Sequence, residues 1–278
     1  MGAPMRYGRL AALAGALSLL WVSASAAQSS SIWNSVMSTG KLIACVVPAY
    51  QPYSWKDDDG KWQGFAVKMA QDVAYDLHVQ VAFVETSFKT IVLDLQSAKC
   101  DVFFGFNATP ERALAIDFAG PLYTLGFLAL DRTGWSPPGN AWANLNNPNT
   151  RICFTIGNST AQQVKRFDPQ ATQVQLTTSN DCVLALISRR VDTYIDGVMA
   201  ILAAKQKNSE LGQVRVLTPQ YALPSYAGMR IDSDGRFQKF LQRWAEYNRA
   251  DGTINEWLVN AMSSVGITKS TIPPGLQF

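Results

Sequence analysis

The chain has 278 residues, of which 47% are hydrophobic and 16% charged, a composition typical of a globular protein with room for two modest domains or one large one. The formal charge is only +3 and no basic run is interleaved with aromatic residues, which argues against nucleic acid as a partner. With His78 as the single histidine, a histidine-based triad or metal site is not expected, and we predict neither a metal nor a cofactor.

Residues 1–27 have the order of a secretory signal peptide. Arg6 and Arg9 precede an apolar run over residues 10–22, and small residues follow at 24–27. The apolar run is short for a membrane span, although an uncleaved anchor helix is the alternative. Removal of this segment leaves 22 basic and 21 acidic residues. We therefore expect a near-neutral exported protein, and the family resemblance described below implies the periplasm as its location.

Strand and helix patterns alternate after a polar leader. KLIACVVP, VQVAFVET and CDVFFGF are typical of buried strands, whereas GFAVKMAQDVAYDL and FKTIVLDLQSAK have helical spacing. Short connections between such elements predict βαβ units and a mostly parallel sheet.

The same alternation begins again after the loop TGWSPPGNAWANLNNPN, which is rich in Pro, Gly and Asn. TRICFTIG, TQVQLTT and VDTYIDG predict strands, with helices in STAQQVKRF and NDCVLALISRR between them. The tail predicts two helices separated by a turn over residues 250–253. Two α/β lobes account for this order most simply.

Arg112 follows the strand CDVFFGF, in the turn NATPER. A guanidinium can hold a carboxylate through two parallel hydrogen bonds, a geometry that lysine cannot supply. The alternative is a surface arginine paired with Glu111 or Asp117, and composition alone favours that alternative.

A second candidate is the turn GNST, between a predicted strand and a predicted helix. Free amides at a helix N-terminus beside a hydroxyl group can bind an anion. Asn158 or Ser159 can equally act as an ordinary helix cap, and the two roles are compatible.

Seven ordered motifs resemble one family, the extracellular solute-binding proteins of the polar-amino-acid transport type. The resemblance covers roughly residues 38–265 and rests on TGKLIACVVPAYQPYSW, DGKWQGFAVKMA, LQSAKCDVFFGF, NATPERALAIDFAGPLY, IGNSTAQ, RRVDTYID and NRADGTINEWL. It implies an α/β fold of the type II periplasmic-binding-protein class, in which two mostly parallel sheets with flanking helices form two lobes joined by a two-segment hinge.

The resemblance also implies domain limits and a function. Crossings near residues 122–132 and 217–230 would divide the chain into a first lobe (28–125 and 221–278) and a second lobe (126–220). The expected protein is a monomer that captures an amino acid or related carboxylate by domain closure and delivers it to an ABC transporter permease.

The ligand-binding residues implied by the resemblance lie on both lobes. Arg112 would grip the ligand's α-carboxylate, and Asp196 would neutralise its ammonium group. Asp196 lies four positions after Asp192, where the family usually has five, and such a shift turns a strand side chain to the other face unless a β-bulge restores it. Tyr50 and Phe88 would flank the ligand side chain, and the remaining contacts would come from Gly105, Asn107, Thr109, Asn158 and Ser159.

Two further residues at the site have a less specific interpretation. Tyr53 is assigned to the core. Val47 stands where some binders of cationic amino acids carry an acid, which weakly disfavours Lys, Arg or His as the ligand.

The chain has four cysteines, and export permits disulfides. Cys153 and Cys182 match positions that are both cysteine in some glutamate-binding members, which implies a disulfide within the second lobe. For Cys45 and Cys100, buried free thiols are at least as strong an interpretation as a bond.

Two other functions remain as alternatives. The same fold includes exported cyclohexadienyl and arogenate dehydratases, which need a general acid with a raised pKa in an apolar cleft. A sensor module that signals through a separate membrane protein is the third hypothesis.

Overall fold

The computed structural model describes residues 1–2, 31–273 and 276. The predicted signal peptide, apart from Met1 and Gly2, therefore lies outside the described residues. The account below concerns the unit that begins at Ser31.

Helices and strands alternate much as the sequence predicts. The helices are α1 Ile32–Thr39, α2 Phe65–Asp76, α3 Ile91–Gln96, α4 Pro110–Ala113, α5 Thr160–Phe167, α6 Ser179–Ile187, α7 Val198–Lys207, α8 Arg236–Ala250 and α9 Thr253–Ser264, with one 3-10 turn at Trp142–Asn144. The strands are β1 Lys41–Val46, β2 Trp55–Lys56, β3 Trp62–Gln63, β4 Gln80–Glu85, β5 Phe103–Asn107, β6 Ile116–Asp131, β7 Arg151–Thr155, β8 Thr172–Leu176, β9 Thr193–Gly197, β10 Val214–Val216 and β11 Ala222–Arg230.

A seven-stranded sheet has the order β5-β11-β6-β9-β7-β8, with β10 paired to β6. β1 and β4 form a separate parallel pair, and an isolated bridge connects Ala44 to Val102, just before β5. The 16-residue strand β6 pairs with β11 along residues 116–126 and with β9 along residues 127–131. The predicted crossings between lobes, near residues 122–132 and 217–230, thus overlap the adjacent strands β6 and β11. The limits of the lobes stay a prediction.

Strand direction differs in one respect from the expectation of mostly parallel sheets. Pairs joined through a helix are parallel, namely β1 with β4, β7 with β8 and β7 with β9. The pairs that involve β6 or β11 are antiparallel. A single helical crossover returns the chain in the same direction, whereas β6 and β11 are separated by four strands and three helices and run in opposite directions.

Separate apolar cores lie on the two sides of the long strands. One core contains buried residues of β1, α2, α8 and α9, and another is built from β7, α6 and α7. Each side also has a disulfide. Cys153–Cys182 joins β7 to α6, as the resemblance implies. Cys45–Cys100 joins β1 to the residues before β5, so these two cysteines are bonded and are not free thiols.

Ion pairs to buried carboxylates lie at the ends of several strands. Asp192 accepts hydrogen bonds from Arg132 and Arg151, and Asp131 is paired with Arg215.

Within the described residues, no helix is long and apolar enough to cross a membrane.

Candidate functional site

Arg112 is positioned by a short helix at the end of β5. Thr109 caps α4 by accepting a hydrogen bond from the Arg112 N–H at 3.3 Å, and Pro110 occupies the first turn, where no N–H is needed. The guanidinium lies 3.8 Å from the centre of the Phe106 ring. This stacking and the cap hold the side chain against the end of the strand.

Among the described residues, the Arg112 guanidinium donates to two backbone carbonyls and to no side chain. Nη1 donates to Asn107 O at 2.8 Å and Nη2 to Gly157 O at 2.6 Å. In the described part of the chain, none of the ion pairs involves Arg112, whereas other buried arginines such as Arg215 face a carboxylate. Burial lowers the pKa of Arg112 to about 10, so the group stays protonated at neutral pH. The half-buried guanidinium therefore has no ion-pair partner among the described residues.

The turn after β7 lies directly opposite Arg112. Ser159 Oγ donates to Asn107 Oδ1 at 2.7 Å, and Asn107 in turn donates to Pro224 O at 3.1 Å. Gly157 adopts a φ of +79°, and a Cβ there would lie 2.4 Å from Phe88 O. Only glycine permits this close approach, so the turn and the Phe88 segment are in contact.

Asp196 is 1% exposed and accepts hydrogen bonds from several elements. The donors are Tyr194 Oη at 2.5 Å, Gly197 N at 2.7 Å, Asn158 Nδ2 at 2.8 Å, Tyr50 Oη at 3.2 Å and Ser179 Oγ at 3.4 Å. Burial raises the pKa of Asp196 above its ordinary value, although several of these hydrogen bonds act in the opposite direction. The carboxylate is therefore fully occupied by protein donors.

Aromatic rings form one wall of the site. Tyr50 stacks on Tyr53 with ring centres 4.5 Å apart, and Phe88 meets Tyr50 edge-on at 5.2 Å. Tyr50 and Tyr53 are buried within the core on the β1 side, and their pKa values are raised well above the usual value by burial. The wall is thus rigid and largely apolar.

A small cavity of about 30 Å³ lies between these groups. It is lined by seven of the nine predicted ligand residues, which are Tyr50, Phe88, Gly105, Asn107, Arg112, Asn158 and Asp196. Thr109 and Ser159 do not line it but are hydrogen-bonded to lining residues, Arg112 and Asn107 respectively. Known ligand pockets measure roughly 300–1,000 Å³, so a solute can enter only if these elements separate.

Gly105 lines the cavity, and close approach of its backbone to a ligand stays a prediction. Its φ is +87°, and a Cβ there would lie 2.6 Å from Tyr123 Oη. The tyrosine hydroxyl therefore excludes a side chain at this position.

Several lining residues were missed by sequence reasoning. Tyr53 was assigned to the core alone, yet it belongs to the core and also lines the cavity. Phe106, Phe127 and Ser225 line it as well, and they come from β5, β6 and β11. The strand end before NATPER could have indicated Phe106, whereas Ser225 is more than 100 positions away and gives no local signal.

Comparison of the sequence with known protein families gives a match over residues 42–258 to the bacterial extracellular solute-binding proteins, family 3. The chain belongs to this family. This solute-binding protein is 32% identical over 102 residues to the L-cystine-binding protein TcyJ of Escherichia coli strain K12. That match covers 36% of the chain and only 38% of the relative's length.

Two further similarities extend over most of this solute-binding protein. The cyclohexadienyl dehydratase of Pseudomonas aeruginosa is 19% identical over 256 residues, which is 91% of this chain and 94% of the relative. The solved structure of the amino acid ABC transporter substrate-binding protein AbpA from Streptococcus pneumoniae, bound to L-arginine, matches with a TM-score of 0.76 and 21% identity over 85% of this chain and 100% of that one. The fold is thus that of the type II periplasmic binding proteins.

Proposed function

We propose that this protein is a periplasmic receptor that captures a small carboxylate-bearing solute, an amino acid, by closure of its two lobes and delivers it to an ABC transporter permease. The observation that carries the proposal is Arg112, a cation that lines the small cavity and has no carboxylate partner in the part of the chain that the structure describes. A ligand carboxylate would supply the missing anion by replacing the two carbonyl contacts. Family membership and the cystine- and arginine-binding relatives support an amino acid as the ligand class.

Contacts across the cavity support closure as the mechanism. Arg112 reaches Gly157, Ser159 reaches Asn107, and Tyr50 reaches Asp196, in each case over more than 40 positions of the chain. A ligand held by the same groups would favour the closed state by its difference in affinity for the closed and open states. Aromatic rings around the cavity would supply stacking or cation–π contacts to the ligand side chain.

The experiment that tests the carboxylate role begins with a thermal-shift panel of amino acids and small carboxylates, because a ligand of the native state raises apparent stability. We expect Arg112→Ala to weaken the best ligand by about 30-fold or more, since loss of one partner of a buried charge pair costs about 2–5 kcal/mol. Arg112→Lys keeps the charge but loses the two-bond geometry, so we expect an intermediate loss. Isothermal titration calorimetry measures both.

Arg190→Ala is the matched control, because Arg190 is exposed and its side chain donates to Ser188 Oγ, away from the cavity lining. Its affinity for the ligand should equal that of the wild type. An unchanged affinity in Arg112→Ala would disprove the carboxylate role.

An exported dehydratase is the second candidate function. Asp196 is a buried carboxyl with a raised pKa beside the cavity, which is the property that a general acid requires, and the dehydratase relative matches nearly the whole chain. Its saturated hydrogen bonds argue against the acid role, because a general acid must donate its proton to the substrate. Turnover of prephenate or arogenate by the purified protein would establish the enzyme.

A further inference from the structure

A second and much larger cavity, the β6–α9 pocket, lies away from the candidate site. Its volume is about 690 Å³, and it is enclosed by β6, α7, α9 and the segment after α9. Cavities of this size hold small organic molecules in many proteins. It shares a single lining residue, Leu125, with the small cavity beside Arg112.

The inner surface of the β6–α9 pocket is apolar and well packed. Leu122, Met199 and Ile254 are at most 2% exposed, and Ile267 and Leu258 are also buried. Side chains on three different elements thus form a fixed floor rather than a shallow surface depression. Burial of a ligand's hydrocarbon here would contribute about 0.8 kcal/mol per CH₂ group.

Two exposed cations, Arg249 and Lys269, also line the β6–α9 pocket, and the described lining residues include no acid. Arg249 Nη1 donates to Pro121 O at 3.1 Å, which holds its guanidinium next to β6. Long cationic side chains keep their charged ends in water above an apolar surface. The pocket therefore combines an apolar interior with positive charge at the solvent.

We propose that the β6–α9 pocket is a second ligand site, which binds an elongated apolar molecule with one anionic group, as in a free fatty acid. The hydrocarbon occupies the buried floor, and the carboxylate lies beside Arg249 and Lys269. This site is separate from the proposed amino acid site, and its occupant is recognised by different residues. Its existence does not depend on the transport function.

Dodecanoate is the probe, used below the concentration at which it forms micelles. We expect the wild-type exported protein to bind dodecanoate at least about tenfold more tightly than dodecyltrimethylammonium, as measured by isothermal titration calorimetry. The cations Arg249 and Lys269 would attract the carboxylate and repel the ammonium group. Val259→Trp, at a lining residue that is 46% exposed, should weaken dodecanoate at least about tenfold by filling the pocket. Leu184→Trp, at an exposed position on α6, is the matched control for added bulk and should bind as the wild type does.

A charge-reversal pair tests the anionic group. Lys269→Glu should weaken dodecanoate several-fold, whereas Lys239→Glu, at an exposed position on α8 that does not line the pocket, should not. Dodecanoate binding should persist in Arg112→Ala, which distinguishes this site from the amino acid site. Equal binding of the cationic amphiphile, or binding lost in Arg112→Ala and retained in Val259→Trp, would overturn the proposal.

Discussion

Asp168, at the end of α5, is fully buried, and neither carboxylate oxygen has a hydrogen-bond partner among the described residues. Burial raises its pKa from the ordinary value to about 7. The folded state therefore holds a proton between about pH 4 and pH 7 that the unfolded chain has released. By linkage, the free energy of unfolding falls as the pH rises through this window, and the loss is complete above pH 7.

Replacement of Asp168 by asparagine should remove this pH dependence. We expect Asp168→Asn to be more stable than the wild type at pH 8 by about 2 kcal/mol, since a neutral amide carries no charge to bury. The two proteins should differ less at pH 4, where the wild-type carboxyl is protonated. Urea unfolding at both pH values measures the difference, with exposed Asp58→Asn as control; an equal difference at both values would contradict the raised pKa.

Asp196 presents a different question at the same scale, because its donors leave no free acceptor for a ligand ammonium. Tyr50 and Asn158 come from other elements, so either could give way when a ligand enters. We expect Asp196→Asn to weaken an α-amino acid about 30-fold or more while changing the affinity of the matching 2-hydroxy acid little. Isothermal titration calorimetry with both ligands measures the two effects.

The half-buried Asp117→Asn is the control for this substitution. Equal weakening of both ligands in Asp196→Asn would mean that Asp196 acts by holding Tyr50 and Asn158 in place. In that case the ammonium role would be wrong.

At the scale of elements, two disulfides connect strands to their neighbours. Cys153–Cys182 closes a separation of 29 residues and Cys45–Cys100 one of 55. Replacing both cysteines of a pair by alanine should cost about 2–4 kcal/mol of unfolding free energy, chiefly by freeing the unfolded chain. The longer separation should make the Cys45/Cys100 loss greater by about 0.5 kcal/mol.

Chemical denaturation of the two double variants provides matched measurements of this prediction. Peptide mapping without reducing agent checks the starting material. Four free thiols in the exported wild-type protein would contradict both bonds and remove the basis for the expected losses.

The elements themselves followed from local patterns. Helical spacing of apolar residues in GFAVKMAQDVAYDL predicted α2, and the turn at residues 250–253 separates α8 from α9 as expected. The direction of β6 and β11 was not predicted. Pairing between strands depends on residues about 100 positions apart, and periodicity contains no information about it.

At the scale of the whole molecule, the sequence identified most of the candidate site through ordered motifs. Arg112, Asn107 and Asp196 do lie around one cavity. The one-residue shift at Asp196 raised the question of which way its side chain points. The structure places it at the cavity, but surrounded by donors from β9, α6 and the segment that carries Tyr50.

The sequence by itself determined the alternation of strands and helices, the family and the residues at the strand ends, because these depend on neighbours along the chain and on recognisable motifs. Only the tertiary structure decided that Arg112 has no carboxylate partner among the described residues, that Asp196 accepts five hydrogen bonds, that Cys45 is bonded to Cys100 and that a separate apolar pocket lies beside β6. Hydrogen-bond partners, burial and cavities are properties of residues that are distant in sequence, and they exist only once the chain has folded.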